Sequence, residues 1–306
     1  MNDGLVYTKR FKYFLAVSGG IFGVLLVGIY FSSIKATFFE KKIVFNALSQ
    51  VTLEAKSVYI LDTTRDEVIF EKNATEIKPI ASITKIMTAI VALDLWQRGD
   101  ILSATLPNAF YVDGMVQNIL LEEKWSVNEL VKLMLTKSSN EAGEAFRQFG
   151  TQNGINFIEK MNQKGRELGL WKAEFKNSTG LDINPKTAGA YATAEEVAFL
   201  LKYALKTYPD IFEPTRLKGY NTKSEEGTDY FIENTNQLAP YLKGLIASKT
   251  GYTELAGGNL VFALKVPFKD KTRMVIVALL GSTKEGRFRD AESITQALLI
   301  DYKNNL

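Results

Sequence analysis

The sequence predicts an α/β protein in which one antiparallel sheet is built from both ends of the chain and stands beside a helical lobe. Three observations carry this. Short apolar runs bounded by turn residues lie near the two ends: Val58–Leu61 and Val68–Phe70 early, Leu260–Val266 and Met274–Leu280 late. The stretch between about Ser82 and Tyr208 keeps helical spacing, and the last segment, Arg287–Tyr302, puts Ala291, Ile294, Leu298 and Tyr302 on one face. Strands at both ends with helices between them pack most simply as a single sheet covered by the N- and C-terminal helices, with an all-helical lobe at its side.

Taken in order, the first element is a 21-residue stretch without a charge, Tyr13–Ser33, preceded by Lys9, Arg10 and Lys12. About 20 apolar residues suffice for a helix to cross a bilayer. The basic flank favours an N-terminus on the inner side. A cleaved signal peptide would show a small-x-small site after a shorter apolar core, and none is evident. The expectation is an inner tail over 1–12, an uncleaved transmembrane anchor over 13–33, a connector over 34–53 and a folded domain over 54–306. In that domain Asp62–Glu67 is the turn of a hairpin. Pro79 then precedes a helix from Ser82 to about Trp96 in which Ile83, Ile86, Met87, Ile90 and Leu93 recur. Helices follow at Val127–Leu135, Glu141–Phe149, Ile155–Leu168 and Ala194–Tyr208. The run Asn177-Ser178-Thr179-Gly180 breaks the series as a loop.

Composition removes several chemistries. A hydrophobic share of 46% and a charged share of 23% are those of an ordinary globular chain. A net charge of +3, from 37 basic and 34 acidic residues without a block of either sign, gives no footing for nucleic-acid binding. With no cysteine and no histidine, disulfides, thiolate nucleophiles, Cys- or His-ligated metals and a Ser-His-Asp triad are all excluded. No metal and no cofactor is implied. Any general base must be Lys, Glu, Asp or Tyr.

Three short patterns occur in order: Ser82-Ile83-Thr84-Lys85, Ser138-Ser139-Asn140 and Lys249-Thr250-Gly251. The first two are weak singly. Ser-x-x-Lys is expected about once by chance in a chain of this length, and Ser32–Lys35 and Ser126-Val127-Asn128 are decoys. Lys-Thr-Gly occurs once, against a chance expectation of roughly 0.1. Alone, Ser82 reads equally well as a helix N-cap and Lys85 as a solvated charge. Together they make chemical sense. Ser82 and Lys85 lie one turn apart at a helix start, on the same face, near backbone N–H groups suited to an oxyanion. Serine needs a base, and a lysine can serve if burial or another cation lowers its pKa from near 10.4. Lys249 would be that cation and, with Thr250, would hold a substrate carboxylate, while Gly251 allows close backbone approach. Ser138 would relay a proton to the leaving amine, and Asn140 would hold the substrate amide and Lys85.

With these motifs in their settings, the chain resembles the serine-type D-alanyl-D-alanine carboxypeptidases, the low-molecular-mass penicillin-binding proteins, whose signature is shared with serine β-lactamases. The resemblance runs from about Ala55 to the C-terminus. It rests on Ala81–Thr88, on Leu133-Met134-Leu135 leading into Ser138–Ala142, on Asn177–Asp182, on Tyr191–Glu196 and on Lys249–Gly257. It implies the β-lactamase/transpeptidase-like fold, with Ser82 the acylated nucleophile, Lys85 its base, and Ser138 and Asn140 the relay and substrate contacts. It also implies that Lys249 and Thr250 bind the terminal carboxylate of D-Ala-D-Ala, and that the backbone N–H groups of Ser82 and Tyr252 form the oxyanion hole. The partners implied are the peptidoglycan stem peptide, β-lactams as inhibitors, and the membrane; the expected location is a single-pass anchor with the catalytic domain outside the cytoplasm.

The chain departs from the family pattern at Glu141, where Asp is more frequent, and at Ser139, where Gly is common and a side chain would narrow the cleft. No C-terminal β-domain or amphipathic anchor helix is recognisable, so the N-terminal segment is expected to take over anchoring. A DD-endopeptidase acting on cross-links is the near alternative, and a non-catalytic penicillin sensor the distant one. A class A β-lactamase is disfavoured by the lack of a Glu-x-x-Leu-Asn segment, and a small-amide hydrolase by the Lys-Thr-Gly setting.

Overall fold

The computed structural model describes residues 43–103 and 123–305. The segment read as a membrane anchor, 13–33, lies outside them, as do the tail and most of the connector. No helix among the described residues is long and apolar enough to cross a membrane.

The elements are β1 (Ser57–Asp62), β2 (Glu67–Lys72), β3 (Lys78–Pro79), α1 (Lys85–Leu95), β4 (Ile101–Ser103), β5 (Lys124–Ser126), α2 (Val127–Lys137), α3 (Asn140–Gln152), α4 (Phe157–Glu167), β6 (Glu174–Phe175), β7 (Ala190–Ala192), α5 (Ala194–Thr207), β8 (Gly219–Lys223), β9 (Asp229–Glu233), β10 (Leu245–Thr253), β11 (Gly257–Phe268), β12 (Lys271–Ser282) and α6 (Gly286–Asn304). The main sheet is antiparallel in the order β10-β11-β12-β1-β2. The early hairpin thus joins the late strands through the β1–β12 pairing, where Val58 faces Leu279 and Ile60 faces Val277.

Every residue of β1, and nearly every one of β11, is buried, so the sheet is covered on both sides and its strands read as continuous apolar runs rather than alternating ones. Tyr59, Leu61, Val261, Ala263, Ile276 and Ala278 join the core of the helical lobe, where α5 packs on β1 and β12. The intervening Leu260, Phe262 and Leu264 are fully buried as well, on the face where α6 lies against β11 and β12. Ala291, Ile294, Leu298 and Tyr302, the stripe read from the sequence, are all buried in that helix, together with polar residues such as Asp290 and Asp301. At the N-terminal end the covering structure among the described residues is only a single 3-10 turn, Leu48–Gln50, against α6. Two carboxylates of α6 hold this stretch: Asp301 accepts the N–H groups of Ala47 and Leu48, and Asp290 those of Glu54 and Ala55.

The lobe is organised about α1. All its residues from Lys85 to Ala92 are buried, because α2, α3, α4 and α5 all pack around it. A helix apolar all round belongs in such a place, and the one charged side chain at its start is carried inside with it. Trp96, just after α1, stacks on Phe146 and Phe157. Local signals set the helix starts. Ser126 caps α2 by accepting from Glu129 N, and a Thr193–Glu196 capping box opens α5. The decoy Ser126-Val127-Asn128 is therefore a helix cap.

Candidate active site

Ser82 sits not in the α-helix itself but in a 3-10 turn, Ala81–Thr84, that feeds α1. Ala81 has φ of +48°, a conformation that a residue with a Cβ adopts only under compulsion and that clusters at functional sites. The compulsion is visible on both sides of the turn. A Cβ on Gly180 would lie 1.9 Å from the Ala81 carbonyl oxygen, and one on Gly251 would lie 2.9 Å from Ile80 O and 3.2 Å from Ser82 N. The 177–181 loop and β10 thus press directly on the turn, which only glycine permits. Gly180 also has φ of +80°. Gly180→Ala is expected to lower the unfolding free energy by about 2–4 kcal/mol. Equilibrium denaturation checks this, and an unchanged midpoint would mean the loop withdraws freely.

Lys85 Nζ lies 2.8 Å from each of three acceptors: Ser82 Oγ, Asn140 Oδ1 and the Thr179 carbonyl oxygen. As an ammonium it donates to all three. As a neutral amine it has two N–H groups and one lone pair. The lone pair can then accept from the Ser82 hydroxyl while Asn140 and Thr179 keep the two donors. Thr179 is offered to the lysine by an Asx-type turn in which Asn177 Oδ1 accepts from Thr179 N and Gly180 N. The side chain of Lys85 has no solvent exposure, and burial pushes its pKa down to about 7, with the Glu141 carboxylate pulling weakly the other way.

Ser138 ends α2 in the left-handed conformation, φ +59° and ψ +33°, so its side chain leaves the helix toward the sheet. Its Oγ accepts from Lys249 Nζ at 2.7 Å, and the same ammonium donates to Thr250 O at 2.8 Å. Lys249 is 1% exposed. Burial above all, then the Lys85 ammonium and the Arg287 guanidinium, hold its pKa well below the ordinary lysine value. Burial is the largest cause at both lysines, and the mutual repulsion of the two ammonium groups opposes a proton on either. Thr250 Oγ1 is 2.6 Å from Thr235 Oγ1, and Thr235 N donates to Thr136 O, which ties β10 to the end of α2.

The structure therefore brings Ser82, Lys85, Ser138, Asn140, Lys249, Thr250 and Gly251 into one cluster, with Tyr252 at its rim, partly exposed and donating to Glu254. Beside it, between the 177–185 loop and the end of β10, opens a cleft of about 640 Å³ lined by Asn177, Thr179, Asp182, Ile183, Tyr252 and Glu254 among others. Asp182 holds its two walls together by accepting from Thr253 Oγ1 and Leu255 N. Ser139, expected to narrow the cleft, is buried and caps α3 by accepting from Ala142 N while donating to Glu141. The sequence reading assigned no site role to Thr179, Thr235 or Arg287. The first had a signal in the Asn177–Gly180 loop; the other two had none.

An antiparallel sheet bearing a Lys-Thr-Gly strand, a helical lobe, and a serine one turn from a buried lysine define the class of penicillin-binding serine hydrolases. The comparisons agree: Penicillin-Binding Protein D2 from Listeria monocytogenes, in its cefotaxime-bound form, superposes with a TM-score of 0.69 at 26% identity, over 81% of this chain and 98% of that one. The Streptomyces K15 DD-transpeptidase does so with a TM-score of 0.70 at 25% identity, over 82% and 98%. Within that class the chain belongs to the D-alanyl-D-alanine carboxypeptidase family, whose sequence model matches residues 44–283. It is 32% identical over 276 residues to the D-alanyl-D-alanine carboxypeptidase DacF of Bacillus subtilis (strain 168), covering 87% of this chain and 67% of that protein. It is 30% identical over 240 residues to a D-alanyl-D-alanine endopeptidase of Haemophilus influenzae, covering 78% and 80%. The chain is accordingly a hydrolase, a serine-type D-Ala-D-Ala carboxypeptidase by family, and the resemblance read from its motifs holds.

Proposed function

We propose that Ser82 carries out DD-carboxypeptidase chemistry on peptidoglycan stem peptides, with Lys85 as its base. The observation that carries this is the 2.8 Å approach of a fully buried amine, with a pKa near 7, to the serine hydroxyl. A general base is most useful with a pKa close to the working pH. The stem peptide lies along β10 with its terminal carboxylate at Lys249 and Thr250. Its scissile carbonyl oxygen enters the backbone N–H groups of Ser82 and Tyr252. Ser82 Oγ attacks as its proton passes to Lys85 Nζ. Ser138, bonded to Lys249, gives its proton to the nitrogen of the departing D-Ala as the C–N bond breaks and takes the proton held by Lys85, which leaves that amine neutral again. Water then attacks the acyl-enzyme with Lys85 again as base, releasing the shortened peptide. Asn140 holds both Lys85 and the substrate amide.

The two lysines give this order a reason. Arrival of the substrate carboxylate favours a charged Lys249, and a charged Lys249 disfavours a proton on Lys85. A correctly ended substrate thereby frees the base that attacks it.

β-Lactams, which present a similar amide and carboxylate, acylate the same serine. The 13–33 segment anchors the enzyme in the membrane with residues from about 54 onward on the outer side, next to the wall. Cleavage of cross-links is the second reading, favoured by the relative that bears the name endopeptidase. Incubation of the full chain with penicillin is expected to add one penicillin mass to the peptide containing Ser82. Incubation with a stem pentapeptide is expected to release D-Ala. Labelling elsewhere, or labelling with neither D-Ala released from the pentapeptide nor the cross-linked dimer split into its two stem peptides, sinks the proposal.

A further inference from the structure

We infer that Asp182 is a positioning residue that makes the enzyme selective for substrates with an extended acyl part, by fixing the loop wall against which that part lies. The inference rests on the direction of the substrate proposed above and adds the residue that governs the far end of the cleft.

The direction follows from β10. With the leaving D-Ala at Lys249 and Thr250 and the scissile carbonyl at Tyr252 N, the residues before the scissile bond run on past Thr253 toward Leu255. There the strand ends and the cleft of about 640 Å³ opens. Leu181, Ile183 and Pro185 line its loop side and Leu255 its strand side. Ile183 is 54% exposed. The cleft is continuous with the catalytic cluster through Thr179 and Tyr252, which belong to both.

The loop has two halves with different supports. The inner half, 177–181, is tied to α1 and to itself. Thr88 Oγ1 donates to Ser178 O at 2.7 Å, Lys85 Nζ to Thr179 O at 2.8 Å, and Asn177 Nδ2 to Leu181 O at 2.9 Å. The outer half has no such ties. Among the described residues, those of 183–187 hydrogen-bond only to one another: Ile183 N and Asn184 N donate to Thr187 O, Thr187 N to Asn184 O, and Lys186 N to Asn184 Oδ1. Asp182 stands at the junction. Its Oδ1 accepts from Thr253 Oγ1 at 2.9 Å and its Oδ2 from Leu255 N at 3.2 Å. Thr253 Oγ1 in turn accepts from Ala256 N at 3.2 Å, so the same carboxylate braces the turn that leads into β11. Both of its oxygens are engaged on the protein, and Asp182 therefore acts on substrate through the wall it holds.

A wall held at one point can be released without moving the acceptor of Lys85, because the inner half keeps its own bonds. A positioning surface displaced by about 1 Å can cost on the order of 10²-fold in rate. That loss falls on substrates long enough to reach the wall. A substrate whose acyl part stops short of Thr253 does not feel it.

The test uses two thioesters of thioglycolic acid on the full-length protein, one of N-acetyl-D-alanine and one of Nα,Nε-diacetyl-L-lysyl-D-alanine. They share the leaving end and differ only in the acyl part. Thiol release gives kcat/KM for each, and the native enzyme is expected to favour the longer. Asp182→Ala is expected to lower the long-to-short preference about tenfold, mainly through loss on the long substrate. In Asp182→Asn the amide can still accept from Leu255 N and donate to Thr253 Oγ1, and the preference is expected to stay within about threefold of the native one. A parallel fall on both substrates in Asp182→Ala, an unchanged preference, or a native enzyme that treats the two alike overturns the inference and leaves Asp182 a structural brace. If Asp182→Ala does not fold by circular dichroism, Thr253→Val decides, since it removes the hydroxyl from the other side of the same contact: a lowered preference supports the inference, and a retained one overturns it. A native enzyme that cleaves neither thioester counts instead against the proposed function.

Discussion

Ser82→Ala is expected to abolish penicillin labelling and to lower D-Ala release by roughly 10⁴-fold or more, while leaving the protein folded. A nucleophile has no substitute in a covalent mechanism, so its loss leaves only what binding and the oxyanion donors provide. The fold should not notice. The Oγ of Ser82 is bonded to Lys85, and that amine retains Asn140 Oδ1 and Thr179 O as acceptors when the hydroxyl is gone. Loss of one such bond is worth about 1 kcal/mol, and an alanine already occupies the strained position next door. The measurement is fluorescent-penicillin labelling of both proteins beside their thermal midpoints. Persistent labelling in Ser82→Ala would move the nucleophile elsewhere, Ser138 being the next hydroxyl in the cluster.

What could be read from the sequence, and what could not, follows from where polar residues are buried. The late strands β11 and β12 and the stripe on α6 were plain, because their buried positions are apolar and obey one period. The strand β10 was not, although it carries the most specific motif. Its Ser248, Lys249 and Thr250 are all buried and are satisfied by Thr215, Ser138 and Thr235 across the cleft. No alternation survives when polar side chains turn inward to long-range partners. The β8–β9 hairpin, whose strand residues are nearly all exposed or half-exposed, was silent for the opposite reason: it has little apolar face to show. The motif spacing gave the cluster of Ser82, Lys85, Ser138, Asn140 and Lys249 because chemistry limited what could activate a serine without histidine. It could not give Arg287, which looks like any basic residue at a helix start until its burial and its bond to Gly251 are seen. Nor could it show that Ser82 lies in a 3-10 turn, since the left-handed Ala81 is imposed from outside by Gly180 and Gly251.

Lys85→Ala is expected to reduce acylation about a thousandfold, and the native enzyme should show the lysine's own titration. Because burial brings its pKa to about 7, the rate of penicillin acylation should rise with pH, reach half its plateau near pH 7, and lose this limb in the variant. The same shift has a thermodynamic face with a definite sign. In the unfolded chain the lysine keeps its proton to near 10.4. Between about pH 7 and that value the unfolded state therefore binds one more proton at this site than the folded state, and stability contributed by Lys85 rises with pH through the window. Below pH 7 both states carry the proton; the folded protein must then hold a buried ammonium, and the penalty is full. Activity thus climbs through pH 7 and levels off, while the stability contribution of this one residue goes on rising toward the unfolded-state value, which a surface lysine would not do. Stopped-flow acylation and denaturant melts across pH 6 to 10, native against Lys85→Ala, separate the cases. A flat acylation profile, or near-normal labelling without the amine, would strip Lys85 of the role of base and require a different group to take the proton from Ser82.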